Sequence, residues 1–147
     1  MKVKAIPEGY HTITPYFTVR DANKLIQFFK QAFDAEEKEI HSNDDGTIIN
    51  AEMKIGDSIV MIGEAPKELG ERKLMTSMLY MYVSDADAVY KKAIQAGGKS
   101  IMEPADQFYG DRSGAVEDPA GNQWWIATHK EDMSREELVK RASQRGK

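Results

Sequence analysis

Tyr16-Phe17-Thr18-Val19-Arg20-Asp21-Ala22 returns 64 residues later as Tyr80-Met81-Tyr82-Val83-Ser84-Asp85-Ala86, with Tyr, Val, Asp and Ala in register. In both copies a strand-like alternation runs into an aspartate, beyond which the apolar spacing changes from two residues to about 3.6. The helical stripe is Leu25, Ile26, Phe29, Ala32 and Phe33 in the first copy, and Ala86, Val89, Tyr90, Ala93 and Ile94 in the second. Asp21 and Asp85 stand where an N-cap carboxylate accepts the first free amide protons of a helix. Gly97-Gly98 offers the left-handed stop that ends the second one. The repeated unit is therefore a strand, a capped helix and more strands.

Turn residues punctuate the chain beyond each helix. Strand candidates Glu37–Ser42, Thr47–Ile55 and Ser58–Ile62 are separated by Asn43-Asp44-Asp45-Gly46 and by Gly56-Asp57. In the second half, Lys99–Glu103, Ser113–Glu117 and Gln123–Thr128 obey the same plan, with Pro119-Ala120-Gly121-Asn122 as the last turn. Gly56-Asp57 and Gly121-Asn122 are equivalent at a spacing of 65. Ser134-Arg135-Glu136-Glu137 has the form of a capping box ahead of Leu138, Val139 and Ala142, and Arg141, Arg145 and Lys147 place cations at the negative end of that helix. No flexible linker divides the halves. The pattern predicts an α+β fold of two βαβββ modules, about 10–64 and 77–129, forming one domain over 10–129, with a helical tail over 130–147.

With 147 residues, 41% of them hydrophobic, the chain can bury one ordinary core. Its 20 Lys and Arg against 24 Asp and Glu give a net charge of −4, which lacks the basic footprint of nucleic-acid binders. Cysteine is absent, which removes disulfides, thiolate nucleophiles and Cys-based zinc sites. The opening MKVKAIPEGYHTIT enters Pro, Glu and Gly instead of an apolar stretch, and no apolar run approaches the roughly 18 residues of a membrane span. A soluble cytoplasmic protein, with neither nucleic acid nor membrane as partner, is expected.

A duplicated module of this size resembles the vicinal oxygen chelate superfamily, which includes glyoxalase I, extradiol dioxygenases, and fosfomycin and bleomycin resistance proteins. The most specific stretch is Gly110-Asp111-Arg112-Ser113-Gly114-Ala115-Val116-Glu117-Asp118-Pro119-Ala120-Gly121-Asn122-Gln123-Trp124-Trp125-Ile126-Ala127-Thr128-His129. With Thr14-Pro15-Tyr16 and Glu131-Asp132-Met133-Ser134 it is similar to the PhnB-like branch, from which Ala120 departs where that branch usually has Phe. The resemblance implies that the modules curl into half-barrels of a mixed sheet, around a cup in which active members hold a divalent ion through one ligand from each of four strands. Those positions fall on Thr14, Met61, Met78 and Trp125. A hydroxyl, two thioethers and an indole do not hold Mg, Mn, Ni, Zn or Fe, because Met suits soft Cu(I) and the indole nitrogen has no free lone pair. No metal cofactor is therefore expected.

Other chemistry is sparse. His11, His41 and His129 form no motif and read as exposed or capping residues; Asp44-Asp45-Gly46 and Gly56-Asp57-Ser58 read as turns, and no phosphate-binding loop is present. Strand alternation groups Thr14 with Tyr16, Ile59 with Met61, Met78 with Tyr80 and Tyr82, and Trp125 with Gln123 and Ala127. Under the implied geometry, Thr14, Tyr16, Met61, Met78, Tyr80, Tyr109, Arg112 and Trp125 bind a flat or apolar small molecule, whereas core filling is the competing role for Met61 and Met78. Arg112 would clamp an anion or pair with Glu52 or Asp111. Glu52 is the best candidate for a general base. The expected function is a metal-free small-molecule binding protein of the glyoxalase/bleomycin-resistance type. The alternative is a lyase, isomerase or dioxygenase-like enzyme with a displaced divalent-metal site. By the same resemblance, sheet edges pair between chains, which implies a homodimer with cups at its interface.

Overall fold

The computed structural model describes residues 3–65 and 74–145. Its elements are β1 (Tyr16–Val19), α1 (Ala22–Phe33), β2 (Glu36–Ser42), β3 (Ile48–Ile55), β4 (Ser58–Glu64), β5 (Met78–Tyr82), α2 (Ala86–Gln95), β6 (Lys99–Asp106), β7 (Asp111–Glu117), β8 (Gln123–His129) and α3 (Arg135–Gln144). They form two four-stranded mixed sheets, β1-β4-β3-β2 and β5-β8-β7-β6. In each, the first strand runs parallel to its neighbour and the remaining pairs are antiparallel. The two halves repeat in space as they do in sequence: Tyr16 lies opposite Met61, and its counterpart Tyr80 lies opposite Trp125.

Both aspartate caps form. The Asp21 side chain accepts from the Lys24 amide and that of Asp85 from the Ala88 amide, each at 3.1 Å. The second helix stops at Gly97, whose φ of 103° suits a residue without a Cβ, while the first ends at Asp34 in the left-handed region with φ 53°. Leu25, Ile26, Phe28, Phe29 and Ala32 of α1 are buried, so this helix forms the centre of the core. Trp124 of β8 packs into the same cluster, its ring centre 4.8 Å from that of Phe33, 5.3 Å from Phe29 and 5.8 Å from Phe17. One aromatic side chain thus fastens the second sheet to the first module. Its indole N–H donates to buried Asp118 at 2.8 Å, and Asp118 also accepts from the Ala120 and Asn122 amides, which fixes the turn before β8. Burial raises the Asp118 pKa against the opposing pull of these bonds.

The strands depart from the sequence reading at one place that matters. β6 continues through Pro104 to Asp106, with irregular register between Ser100 and Met102 and again between Met102 and Ala105. Such bulges let a strand carry a proline that cannot donate to the ladder. β7 then begins at Asp111, two residues earlier than expected, and puts Asp111 directly opposite His129. In the tail, Ser134 caps α3 by accepting from the Glu137 amide at 3.1 Å. The reciprocal arm of the capping box is not used, because the Glu137 carboxylate accepts from Arg141 instead. No residue of α3 is buried, and the tail lies on the surface, with Arg145 over the Phe108 ring.

Candidate ligand-binding site

The core occupies the helix-facing side of each sheet, and alternation sends the intervening residues to the opposite face. On the second sheet the register aligns Tyr80 with Trp125 and Ala115, Tyr82 with Ala127 and Ser113, and His129 with Asp111. Asp111, only 4% exposed, is the hub of this face. Tyr80 and Tyr82 donate their hydroxyl protons to its Oδ2 at 2.7 and 3.1 Å, and His129 Nδ1 donates to Oδ1 at 2.9 Å. The other ring nitrogen of His129 donates to Asp132 Oδ1 at 2.7 Å. Because the Tyr80 proton is engaged by Asp111, the Tyr109 hydroxyl, 3.3 Å away, donates to the Tyr80 oxygen.

The electrostatics result from this wiring. Burial works to raise the Asp111 pKa, but the hydrogen bonds from His129, Tyr80 and Tyr82 outweigh it and hold the carboxylate below its ordinary value. Hydrogen bonds to Asp111 and then Asp132 raise the His129 pKa above 6.5. The Tyr80 phenol is raised by burial and then by its bonds to Tyr109 and Asp111; the Tyr82 phenol is raised chiefly by Asp111. A histidine whose folded pKa is raised contributes stability that is fully present below its unfolded value of about 6.5, and that fades as pH climbs through the folded value. The thermal midpoint is accordingly expected to fall across that window, and His129→Gln should flatten this part of the profile. A wild-type midpoint that stays level or rises there contradicts the charged pairing.

Two donors on the same side of the sheet are left over. Trp125 Nε1 and Ser113 Oγ are buried and find no hydrogen-bond partner among the described residues. Leaving such a group unpaired in the interior costs roughly 1–3 kcal/mol.

The remaining sequence candidates divide between the two sheets. Thr14, Glu52 and Met61 line a cleft of about 650 Å³ on the first half, together with Tyr10 and Glu39. Burial and then the neighbouring Glu52 carboxylate push the Tyr10 phenol up to about 12. Tyr16 lies across Gly63, where any Cβ would collide with the Tyr16 hydroxyl and the Ile49 carbonyl oxygen. Met78, Tyr80, Tyr109 and Trp125 belong to the second half. The structure therefore does not gather all eight expected ligand residues into one site. The halves do border a common cleft of about 770 Å³, whose lining includes Ile13, Pro15, Tyr80, Tyr82 and Trp124 but not Trp125.

Arg112 is turned away from the tyrosines, since it alternates with Asp111 along β7. Its guanidinium grips Asp87 of α2 with two bonds of 2.7 and 2.9 Å and reaches Asp106 at 3.3 Å. This corrects the partners expected for it: neither Glu52 nor Asp111 pairs with Arg112, which ties the first turn of α2 to the hairpin. The resulting hydrogen bonds lower the Asp87 pKa.

The positions that the resemblance assigns to metal ligands carry Thr14, Met61, Met78 and Trp125, and the indole of Trp125 is a donor only. Among the described residues, no group of three or more His, Cys, Asp or Glu is placed to hold an ion. This donor set does not fit a divalent metal.

Asp111 and His129 are residues of this face that the sequence reading does not include among the site candidates, whereas Tyr82 is already grouped with Met78 and Tyr80 by alternation. The signal for them lies in the last hairpin. Its turn sets Glu117 against Gln123, and stepping outward by the same number of residues on both strands brings Asp111 to His129.

Residues 10–126 match the Glyoxalase/Bleomycin resistance protein/Dioxygenase superfamily, and the chain belongs to that superfamily. It is 30% identical over 142 residues to the uncharacterised protein Mb0911c of Mycobacterium bovis, covering 91% of this chain and 93% of that protein. Among solved structures, TioX from Micromonospora sp. ML1 superposes with a TM-score of 0.69 at 20% identity, covering 81% of this chain and 98% of TioX. The PhnB protein of Bacillus cereus gives a TM-score of 0.67 at 21% identity, covering 80% of this chain and 99% of PhnB. At these identities the two structures establish a shared fold. No helix among the described residues is long and apolar enough to cross a membrane.

Proposed function

We propose that this protein binds a planar small organic molecule against the Tyr80–Trp125 face without a metal ion, as a cytoplasmic homodimer. The observation that carries this reading is the Asp111 hub, which fixes an aromatic wall in advance of any ligand. Aromatic rings held by hydrogen bonds at their polar ends offer flat apolar area with little conformational freedom left to lose on binding. Met78, Tyr80 and Tyr82 are 63%, 40% and 64% exposed, an unusual density of apolar surface on one short edge strand. The cleft between the halves, which shares Tyr80 and Tyr82 with this face, has the volume of a small-molecule site. β1 and β5 each end their sheet, and such open edges suit pairing with a second copy of the chain.

Acid–base catalysis finds less support on this face. Asp111 already accepts from three donors, His129 is bracketed by two carboxylates that favour its charged form, and the phenols are held protonated. Glu52 on the other sheet is the base that the alternative enzyme reading would use. Thermal shift of the chelator-treated protein with planar heteroaromatic fragments tests the proposal, because a ligand that prefers the folded state raises the midpoint by mass action. Stabilisation that Tyr80→Ala removes and Glu52→Gln leaves intact is expected. Stabilisation that requires added Ni, Mn, Zn or Fe(II) contradicts it.

A further inference from the structure

Building on the binding reading above, we infer that the C-terminal tail, 130–145, is a strap that positions Tyr109 at the rim of the tyrosine face, so that Arg145 sets ligand affinity there without touching the ligand. Tyr80 is 40% exposed and borders the cleft between the halves. The hydroxyl of half-buried Tyr109 meets the Tyr80 hydroxyl at 3.3 Å, at an exposed point of this face. A ligand lying on Tyr80 therefore has Tyr109 beside it.

Tyr109 belongs to neither neighbouring strand. It sits in the turn 107–110 between β6 and β7, which closes through the Gly110 amide donating to the Gln107 carbonyl oxygen at 3.2 Å. The tail supplies the further support. The Gly110 carbonyl oxygen accepts from the amides of Lys130 at 2.9 Å and Glu131 at 3.2 Å. Gly110 has φ 97°, and a Cβ on it would lie 2.6 Å from the Glu131 carbonyl oxygen, so the tail backbone rests directly on the turn. Arg141 bridges Glu131 and Glu137, which fixes α3 to this stretch. At the end of the helix, the Arg145 guanidinium lies 4.8 Å from the centre of the Phe108 ring. Phe108 stands edge-on to Tyr109, with ring centres 5.2 Å apart. Contact thus runs from Arg145 through Phe108 and Tyr109 to Tyr80. A second tie joins the tail to the hub, since His129 bonds Asp111 through one nitrogen and Asp132 through the other. α3 has ten residues, none of them buried, and a helix so short is marginal by itself. It adds nothing to the core; Arg141 and Arg145 instead reach the segment leading out of β8 and the turn that carries Tyr109.

The test uses the full chain with Arg145→Ala, Tyr109→Ala and the double variant. Naphthalene-2-carboxamide serves as a planar probe, and three-bond couplings report the χ1 rotamer of Tyr109. Arg145→Ala is expected to weaken the probe about fivefold, the worth of keeping one aromatic side chain fixed in advance. The thermal midpoint should stay nearly unchanged, as suits an exposed contact. Arg145→Lys, which keeps a cation over the ring, should restore part of the affinity. In the Tyr109→Ala background, Arg145→Ala should have no further effect, because the two residues act along one path. Without ligand, Tyr109 should hold a single rotamer that Arg145→Ala converts to an average. Wild-type affinity in Arg145→Ala would overturn the strap, as would an equal loss in the Tyr109→Ala background or a Tyr109 side chain already averaged in the wild type. Failure of the probe to bind the wild type would count against the binding reading, and the rotamer comparison would then decide the strap by itself.

Discussion

Asp111→Ala is expected to lower the unfolding free energy by about 2 kcal/mol and to remove ligand binding at the tyrosine face. The substitution withdraws one acceptor from three donors at once, the hydroxyls of Tyr80 and Tyr82 and the imidazole of His129. Bonds to a charged group are worth about 1.5–3 kcal/mol when buried, but Tyr82 and His129 stay partly in water and can be rehydrated, which reduces the sum. The functional loss should exceed the structural one. Without the carboxylate, Tyr80 and Tyr82 regain rotamer freedom that a ligand must then suppress, and the raised pKa of His129 loses its principal cause. Asp111→Asn, which keeps an acceptor oxygen at nearly the same shape, should fall between the two. Urea unfolding paired with fragment titration measures both quantities. An Asp111→Ala protein that retains wild-type affinity would remove the hub from any role in binding.

Trp124→Ala should be the most damaging single change in the core, at about 4 kcal/mol, in the range seen when a large buried aromatic is truncated. The indole sits among Phe17, Phe29 and Phe33, and its loss opens a cavity between the second sheet and the first module. It also leaves Asp118, buried and already raised in pKa, without its indole donor. Trp124→Phe separates these contributions by keeping most of the packing and removing only the N–H; a loss of about 1–2 kcal/mol is expected there. A fall in thermal midpoint of roughly 10 °C or more for the alanine variant would agree with this role. A shift of only a degree or two would show that the halves are held together by something other than this seam.

The repeat of Tyr, Val, Asp and Ala is enough to place the strands and the capped helices of both modules, because those features are written in local periodicity and in capping chemistry; the curled mixed sheet follows from the resemblance. What the sequence hides is long-range in character. Pro104 reads as the end of a strand, yet bulges carry β6 past it, and the Gln107–Gly110 turn is short enough that Asp111 already belongs to β7. Placed in a loop, Asp111 has no defined partners; placed in the strand, it meets His129 across the hairpin and both tyrosines from β5. The partners of Arg112 are obscured for the same reason, since its side of the sheet depends on where the strand starts. Alternation groups Met78 with Tyr80, and the resemblance is what singles out Met78 and Trp125 as candidates. The division of the candidate residues between two sheets is not, because it depends on how the modules pack, through α1, α2 and Trp124, and no local pattern encodes that.

Whether the Tyr80–Trp125 face is a metal-independent site for a planar ligand is tested most directly by chemical-shift mapping of the uniformly labelled protein with naphthalene-2-carboxamide, recorded with and without a strong chelator. Perturbations are expected to concentrate on β5, β7 and β8, around Tyr80, Asp111, Trp125 and His129, and to be identical in both conditions. Perturbations centred instead on Thr14, Glu52 and Met61, present only when a stoichiometric divalent ion is bound, would contradict a metal-independent site on this face.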